Sequence, residues 1–316
     1  MGTQHKIVVI GSINMDLVMR VPRMPHPGET ISGGPFQTIP GGKGANQAVA
    51  CARLSPDSGN VAMIACLGDD AFGVELRAAL RRDGIDDAHV STIKGMASGV
   101  AAIAVDTSGQ NSIVLAAGAN DALSPAHIDA ARGLIEQAQV IVLQLETPLA
   151  TIHHAIQLAH SLGKIIVLNP APAQALSPEL LRKVTYLIPN EIEAAVLAKL
   201  PMTGLGGDAA IDAAIEELRN DGCANVLVTL GAKGVRAALA TGSHRFPAQP
   251  AIAIDTTAAG DTFIGGFVAA LAEGQTEAEA IDFGQRAAAL SVGRVGAQTS
   301  IPYRHELPAK TAAHRS

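Results

Sequence analysis

The sequence predicts an α/β protein, with a doubly wound, mostly parallel sheet flanked by helices and a small β-sheet lid. From residue 138 onward, short apolar runs alternate with helical patterns, which is typical of strands joined by crossover helices. The first run, Lys6–Ile10, is almost entirely apolar, as expected of a strand covered on both faces. The segments at 12–19 and 30–39 alternate polar and apolar residues instead, which favours exposed strands outside the main core.

The domain organisation follows from these elements. A chain of 316 residues, of which 48% are hydrophobic, is long enough for one large core with an appendage. Strands expected at 98–105 and 112–115 flank a turn signal and could pair with the early exposed strands. We therefore assign residues 1–13, 41–96 and 119–316 to the α/β domain, and residues 14–40 and 97–118 to the lid. The edge of so small a sheet favours pairing with a second copy, so a homodimer through the lid is expected.

The composition excludes several classes of partner. The net charge of −6 leaves no basic face for the phosphates of a nucleic acid. The apolar runs have the length of strands, so no membrane span is expected, and the first residues carry no signal-peptide pattern. Cys51, Cys66 and Cys223 are too few and too scattered for a disulfide framework or a zinc site. We expect free thiols in a reducing, cytoplasmic compartment.

The stretch from Ala251 to Phe267 carries a strong signal for chemistry. An apolar run at 251–254 is followed by small residues, an aspartate and a strongly helical pattern. Small residues let a bound group approach the backbone, and the unpaired N–H groups at the start of a helix form an anion site. Asp261 stands at the edge of that site, where it could take a proton from a hydroxyl that attacks a phosphate. It could equally cap the helix.

A second informative stretch, Pro40–Ala48, is rich in glycine and leads into a helix predicted over 45–54. It is not a Walker A loop, because no glycine lies five residues before Gly42 and no Ser or Thr follows Lys43. Its glycines would bring backbone N–H groups to a ligand, and Lys43 and Asn46 could bind hydroxyl groups. The alternative is a tight strand–helix turn with no ligand.

Polar residues also follow the predicted strands of the main sheet. Ligands of doubly wound sheets bind beyond the carboxyl ends of the strands. One polar residue at such an end is ordinary, whereas a whole set is harder to explain by helix capping. The set is Glu146, Asn169, Asn190, Glu193, Thr229 and Asp255.

Five motifs together make the chain similar to the ribokinase-like family of sugar and nucleoside kinases. They are Gly11–Asp16, Gly41–Asn46, Asn190–Glu193, Thr229–Gly234 and Asp255–Asp261. Any one of them alone is a weak signal, but five in the right order along the whole chain are very specific. The resemblance implies ATP-dependent phosphorylation of D-ribose at its 5-hydroxyl, with Mg²⁺ and a monovalent cation, K⁺, as cofactors.

The resemblance also implies a role for each matching residue. Asp261 would be the base for the 5-hydroxyl, and the backbone N–H groups of Ala259, Gly260 and Asp261 would stabilise charge on the transferring phosphoryl group. Asn190 and Glu193 would position Mg²⁺ through water, although this pair could also be a helix-start cap. The implied sugar-binding set is Asn14, Asp16, Gly42, Lys43, Asn46, Glu146 and Asp261. The implied ATP-binding set is Asn190, Thr229, Gly231, Gly234, Gly260 and Gln285. The implied K⁺ set, partly through carbonyl oxygens, is Asp255, Thr257, Ser291, Arg294, Gly296 and Ser300.

Several alternatives stay open at this point. Gly231 and Gly234 could belong to a hairpin, Asp255 could cap a turn, and Gln285 stands where relatives often have Asn or His near the adenine. Within the family, the substrate could also be deoxyribose, a ketose, a keto-sugar acid or a nucleoside. An aromatic content of 3% argues against a nucleoside. A nicotinamide-dependent oxidoreductase is disfavoured because the first strand does not lead into G-x-G-x-x-G. A non-catalytic sugar sensor would not need Asp261 and the anion loop.

Overall fold

A computed structural model describes residues 6–201 and 207–308 of the chain; the predicted domain ends at 1–5 and 309–316 lie outside the described residues. The strands are β1 (Ile7–Ile10), β2 (Asn14–Arg20), β3 (Phe36–Gly41), β4 (Val61–Gly68), β5 (Asp86–Ile93), β6 (Gly99–Val105), β7 (Asn111–Ala116), β8 (Val140–Leu143), β9 (Ile165–Leu168), β10 (Tyr186–Leu187), β11 (Asn225–Thr229), β12 (Val235–Leu239) and β13 (Gly242–Phe246). The helices are α1 (Lys43–Leu54), α2 (Ala71–Arg82), α3 (Pro125–Ala130), α4 (Arg132–Gln137), α5 (Leu149–Ser161), α6 (Pro178–Leu181), α7 (Glu191–Leu197), α8 (Asp208–Asn220), α9 (Ala259–Ala272) and α10 (Glu277–Ser291).

The main sheet is organised around β1. Within the described ranges its strand order is β13-β12-β11-β10-β9-β8-β1-β4-β5. β1 pairs in parallel with β4 on one side and β8 on the other, so that Ile7 lies opposite both Val61 and Val140. The chain therefore builds the sheet outward from β1 in two directions, and the carboxyl ends of the strands beside β1 meet at one edge. β12 and β13 extend the sheet in antiparallel fashion.

Helices cover both faces of this sheet. Side chains of α1, α2, α9 and α10 pack with one face in a single apolar cluster, and side chains of α3 to α8 pack with the other. All residues of β1 and β8 are buried, because alternate side chains enter the two clusters. The prediction of a doubly wound, mostly parallel sheet is confirmed.

Helices α1 and α9 approach each other closely within the first cluster. A Cβ atom built on Gly265 of α9 would lie 2.2 Å from the Cβ of Ala50 on α1. A Cβ atom on Gly266 would lie 2.9 Å from the Cα of Gly284 on α10. Both contacts require glycine, so the separation of these helices is set by the absence of side chains at 265 and 266.

The strands expected outside the main core form a separate small sheet, with the order β3-β2-β6-β7. β2 pairs antiparallel with β3 and parallel with β6, and Asn14 lies opposite Gly41 on one side and Gly99 on the other. The amino-terminal end of β2 therefore enters the small sheet next to the carboxyl end of β1. Only Gly11, Ser12 and Ile13 lie between the two strands.

Three local expectations differ from the structure. β3 begins at Phe36 rather than at residue 30, because the pairing with β2 ends at the pair Met19 and Phe36, and residues 33–35 are Gly-Gly-Pro, a poor strand sequence. The apolar run at 251–254 joins neither sheet in the described part of the chain; Ile252 and Ile254 are exposed beside the end of α10. β5 at the sheet edge was not predicted, because five of its eight residues are polar.

Among the described residues, no helix combines the length and apolarity needed to cross a bilayer.

Candidate functional site

The carboxyl ends of the central strands and the amino-terminal ends of two helices meet at one edge of the main sheet. Ser12 follows β1, Gln144 and Glu146 follow β8, and Asn169 follows β9. From the covering layer, α1 and α9 bring their first turns to the same edge. The sites expected from widely separated motifs are therefore brought together by the strand order.

Asp261 lies in the first turn of α9 and is only 7% exposed. Its carboxylate accepts hydrogen bonds from two side chains of α1: Asn46 Nδ2 at 3.1 Å and Gln47 Nε2 at 2.9 Å. The N-cap residue of α9 is Ala258, which has a left-handed backbone (φ 57°), and no side chain caps this helix. Asp261 therefore does not serve as the helix cap, and its carboxylate is held by α1 instead.

The backbone N–H groups at the start of α9 differ in their availability. The N–H of Ala259 donates to the carbonyl of Thr256 at 3.2 Å. Gly260 and Asp261 follow at positions where no preceding helical turn supplies a carbonyl acceptor. The amides of Gly260 and Asp261 are thus better placed than that of Ala259 to face an anion.

The glycine-rich turn connects β3 to α1. Gly42 has φ 88°, a conformation that other residues rarely adopt, and a Cβ atom there would lie 2.7 Å from the backbone N of Asn14. This turn places Lys43 at the first position of α1. Burial alone would lower the pKa of the Lys43 ammonium, but the carboxylates of Asp261, Glu146 and Glu193 raise it above its usual value. Lys43 therefore stays charged among acidic groups.

Glu146 and Asp16 complete an acidic cluster with Asp261. Glu146 Oε2 accepts hydrogen bonds from Ser12 Oγ at 2.6 Å and from the backbone N of Lys43 at 3.1 Å. Burial, together with the negative charges of Glu146 and Asp261, raises the pKa of Asp16 to about 7. Asp16 thus lacks a compensating positive charge in the ligand-free protein, and hydroxyl donors from a ligand would stabilise its charged form.

Asn14 and Asn46 add amide groups to this cluster. Asn14 Oδ1 accepts from Asn120 Nδ2 at 2.8 Å, and the Asn120 side chain also bonds the backbone of Ile13 in both directions. Asn46 Oδ1 is buried and has no hydrogen-bond partner among the described residues. Asn14, Asn46, Asp16 and Glu146 therefore offer both donors and acceptors, which fits a ligand with several hydroxyl groups. A cavity of about 320 Å³ adjoins Asn14 and Glu146.

A larger cavity of about 450 Å³ begins at the start of α9. Thr229, Gly231, Gly234, Gly260 and Gln285 line it, together with apolar residues of α10 and of the segment at 248–253. Gln285 Nε2 donates to the carbonyls of Phe246 and Pro247, at 3.2 and 3.1 Å, so this side chain fixes the cavity wall. Gly231 and Gly234 have φ 54° and 93° and lie in the turn between the antiparallel strands β11 and β12, as the hairpin interpretation predicts. A flat apolar ring with a phosphate tail at Gly260 fits this cavity.

Asn190 and Glu193 form a reciprocal capping box at the start of α7. Asn190 Oδ1 accepts from the backbone N of Glu193, and Glu193 Oε2 accepts from the backbone N of Asn190, both at 2.8 Å. Burial raises the pKa of Glu193, and Asp261 adds to this effect, although the Asn190 amide and Lys43 oppose it. This capping box uses only Oε2 of the Glu193 carboxylate. The pair therefore fits a metal held through water rather than by direct ligation.

The residues expected to bind K⁺ surround the end of α10. Asp255 accepts from the backbone N and Oγ1 of Thr257, at 2.9 and 2.6 Å, and from the backbone N of Gly296 at 2.8 Å. Burial alone would raise the pKa of Asp255, but these hydrogen bonds hold it below its usual value. The hydroxyls of Ser291 and Ser300 donate to nearby carbonyls, which leaves their oxygen lone pairs free to accept or to ligate a cation. The Arg294 side chain is paired with Glu306, so only its backbone carbonyl suits a cation.

Several residues at the site were not assigned a role from the sequence. Ser12, Gln47 and Asn120 contact the expected site residues directly, and Gln144 contacts Gln47. Ser12 lies inside a recognised motif and Gln47 follows another, so proximity in sequence was the available signal. Asn120 and Gln144 lie outside all five motifs, so no neighbouring motif pointed to them. In the described residues, no group of three His, Cys, Asp or Glu is arranged to hold a metal.

Known proteins match this chain over nearly its whole length. The model of the pfkB family of carbohydrate kinases matches residues 4–304. The ribokinase of Haemophilus influenzae is 46% identical over 300 residues, covering 95% of this chain and 96% of that protein. The ribokinase of Schizosaccharomyces pombe is 43% identical over 304 residues, covering 94% of each chain. The structure of Arabidopsis thaliana ribokinase complexed with ribose and ATP superimposes with a TM-score of 0.87, at 31% identity over 96% of this chain and 97% of that one.

The raised pKa of Asp16 predicts how stability depends on pH in the ligand-free protein. The folded state keeps a proton on Asp16 up to about pH 7, whereas the unfolded chain releases it near its ordinary value of about 3.9. The contribution of Asp16 to stability is therefore complete below pH 4 and is lost as the pH rises through 7. The free energy of unfolding of the parent should therefore fall between pH 5 and pH 8 because of Asp16. In Asp16→Asn we expect this fall to be smaller by about 2 kcal/mol.

Urea unfolding at the two pH values measures this difference. Glu75→Gln on the exposed face of α2 is the matched control for the loss of one negative charge. Equal pH dependence in the parent and in Asp16→Asn would contradict the assignment.

Proposed function

The chain belongs to the pfkB family of carbohydrate kinases, and we propose that it transfers the γ-phosphoryl group of ATP to the 5-hydroxyl of D-ribose. The products are D-ribose 5-phosphate and ADP. The observation that carries this proposal is the position of Asp261. Its carboxylate is held by α1 beside the hydroxyl-binding groups, while the preceding residue, Gly260, lines the cavity that fits a nucleotide. The identity with two ribokinases supports the choice of sugar.

The chemistry assigned to Asp261 is proton abstraction. Its carboxylate accepts the proton of the 5-hydroxyl as the oxygen attacks the γ-phosphorus in line with the departing ADP. The amides of Gly260 and Asp261 and the positive end of α9 stabilise the negative charge on the phosphoryl oxygens. Because Asn46 and Gln47 hold the carboxylate, little reorganisation is needed when the sugar binds.

The sugar is bound by the groups whose hydrogen-bonding capacity is unused. Asp16 accepts from hydroxyl groups, Asn46 Oδ1 accepts from another, and Asn14, Lys43 and Glu146 complete the set. An analogue that lacks one hydroxyl leaves a buried polar group unpaired, which weakens binding. The carboxylate of Asp16 and the amide of Asn14, both on β2, favour a sugar with adjacent free hydroxyls.

Two cations complete the proposed site. Asn190 and Glu193 hold Mg²⁺ through water, and this ion supplies charge neutralisation across the phosphates when it is bound. The carbonyl and hydroxyl oxygens around Asp255 would hold K⁺, which would supply an ordering charge for the loop before α9. The three free cysteines, which are all buried, are consistent with a reducing cytoplasmic compartment.

The small sheet acts as the lid of the sugar site and as a dimer interface. By register, one face of this sheet carries Asp16 and then a row of apolar side chains, which are Val18, Ile39, Ile103, Ile113 and Leu115. Ile113 is 52% exposed and Leu115 is 51% exposed in the single chain. A second copy placed on this face would bury the row and close the sugar site from water.

A substrate panel tests the proposed activity. ADP release with ATP and Mg²⁺ is measured for D-ribose, 2-deoxy-D-ribose, a ketopentose, a hexose and a nucleoside, each with K⁺ and with Na⁺. We expect the highest kcat/KM for D-ribose, and a several-fold lower kcat when Na⁺ replaces K⁺. A preference for 2-deoxy-D-ribose would replace the substrate, and no ADP from any sugar would remove the proposed function.

Substitution of Asp261 tests the proposed base. We expect Asp261→Asn to lower kcat by about 10²- to 10⁴-fold, because the amide cannot accept the proton. The ribose affinity stays within a few-fold, since asparagine keeps the size of the side chain and its oxygen can still accept from Gln47 Nε2. Asp129→Asn, at a surface pair with His154, is the control and keeps the parent turnover. Near-normal turnover of Asp261→Asn would exclude this residue as the base.

Sedimentation tests the interface. We expect the parent to sediment at roughly twice the chain mass of 32.3 kDa, and Ile113→Glu at the mass of one chain, because a buried charge on the apolar row opposes pairing. Val74→Glu on α2, where the side chain is 73% exposed, is the matched control and stays dimeric. A monomeric parent, or a dimeric Ile113→Glu, would overturn this interface.

A further inference from the structure

A chain of buried amide side chains links Asp261 to two strands of the main sheet. Gln47 Nε2 donates to Asp261 Oδ1 at 2.9 Å and to Asn169 Oδ1 at 3.1 Å. Gln144 Nε2 donates to Gln47 Oε1 at 2.6 Å. Gln47 and Gln144 have no exposed surface, and Asn169 is also buried. Such a chain is held in low-dielectric surroundings, where each hydrogen bond is strong and each unpaired atom is costly.

The direction of the chain is fixed by a backbone carbonyl. Asn169 Nδ2 donates to the carbonyl oxygen of Ile188 at 2.9 Å, and a carbonyl oxygen can only accept. Asn169 must therefore turn its own oxygen toward Gln47, and Gln47 must turn its nitrogen toward both Asn169 and Asp261. Gln144 completes the arrangement by donating to the remaining oxygen of Gln47.

This arrangement leaves one atom unsatisfied. Gln144 Oε1 is buried and has no hydrogen-bond partner in the part of the chain that the structure describes. It faces Gly11, where a Cβ atom would lie 2.0 Å from it. A hydrophobic side chain at 144 would avoid the cost of this orphan oxygen. The amide at 144 by itself therefore lowers the stability of the protein. Its favourable effect is the hydrogen bond that orients Gln47.

Gln47 has no free polar group for a substrate. Both of its N–H groups and its oxygen are engaged, with Asp261, Asn169 and Gln144. Asn46 differs from Gln47 in this respect, because its oxygen is unpaired and can meet the sugar. Any effect of Gln47 on the reaction must therefore pass through the Asp261 carboxylate.

We propose that Gln47, oriented by Gln144 and Asn169, is the positioning residue that holds the Asp261 carboxylate in the geometry for proton abstraction. The proposal rests on the proposed function, in which Asp261 is the base. It assigns Gln144 a role only through Gln47. The hydrogen bond from Gln47 fixes Oδ1, while that from Asn46 fixes Oδ2, so the plane of the carboxylate is determined by two adjacent residues of α1.

Steady-state kinetics of Gln47→Met, Gln144→Met and the double variant test this proposal with ATP and D-ribose. Methionine preserves volume and removes the polar atoms. We expect Gln47→Met to lower kcat by about 10- to 100-fold, the effect of losing one hydrogen bond to a charged group, with the ribose KM within about twofold. Gln144→Met lowers kcat by less. The double variant is no slower than Gln47→Met, because Gln144 has nothing left to orient.

A matched control separates positioning from the general cost of a buried amide. Asn225 is also buried and also bridges strands: its Nδ2 donates to the Thr185 carbonyl and its Oδ1 accepts from the Ala240 N–H. It touches no residue of the site. We expect Asn225→Leu to lower the melting temperature but to keep kcat within about twofold of the parent.

Each outcome decides the proposal. A kcat near the parent value in Gln47→Met, a loss that appears only in KM, or effects of Gln47→Met and Gln144→Met that multiply in the double variant would each overturn it. If Gln47→Met does not fold, the proposal is tested by kcat in Gln144→Met and in Gly11→Ala, which displaces the Gln144 side chain. Both variants should then lower kcat. A parent that phosphorylates D-ribose while Gln47 variants match it refutes the positioning role alone; a parent without activity refutes the function.

Discussion

The close packing of α1 against α9 is the constraint on which the site depends. Asn46 and Gln47 reach Asp261 only because the two helix axes are as close as the contact between Gly265 and Ala50 allows. Gly265 lies four residues after Asp261, and Ala50 lies four residues after Asn46, so the tight contact is one turn below the hydrogen bonds. A methyl group at 265 would have to separate the helices, and the first bonds to lengthen would be those that hold the carboxylate.

The site also concentrates more negative charge than the protein itself neutralises. The charges of Glu146 and Asp261 act on Asp16, and among the described residues the same two carboxylates and that of Glu193 act on the ammonium group of Lys43. In the ligand-free state this crowding costs stability, which is visible in the pKa of Asp16 at about 7. A ligand rich in hydroxyl groups supplies donors to the same oxygens. Folding therefore leaves electrostatic repulsion among the carboxylates of this pocket, and ligand binding reduces it.

The sequence predicted the sheet, and it also marked most of the residues that the structure brings together at the candidate site, because both leave local signals. Apolar runs with polar residues at their ends mark parallel strands, and glycine-rich turns next to helices mark places where backbone meets a ligand. Gln144 leaves no such signal, since an amide that directly follows an apolar strand has the same appearance whether it is buried or exposed. Gln47 directly follows the Gly41–Asn46 motif, but that position alone does not reveal that its side chain holds Asp261. β5 was missed for a related reason: an edge strand with polar residues lacks the apolar run that identified the others. The run at 251–254 was misleading because composition alone does not reveal whether a neighbouring strand is available.

Helix capping and ligand binding are competing explanations for the carboxylates of Asp261 and Glu193, and the structure differs between the two. At Asp261 the carboxylate makes no cap; it bonds to a neighbouring helix, and the first amides of α9 are left for an anion. At Glu193 the cap is present, yet only one carboxylate oxygen is used by it. The other oxygen can still accept a hydrogen bond from a hydrated cation, whose charge would offset the cost of burying the carboxylate, which raises its pKa. A capping role therefore excludes ligand binding only where the cap uses both oxygens of the carboxylate. A reciprocal cap can instead fix the orientation of a group that binds a metal.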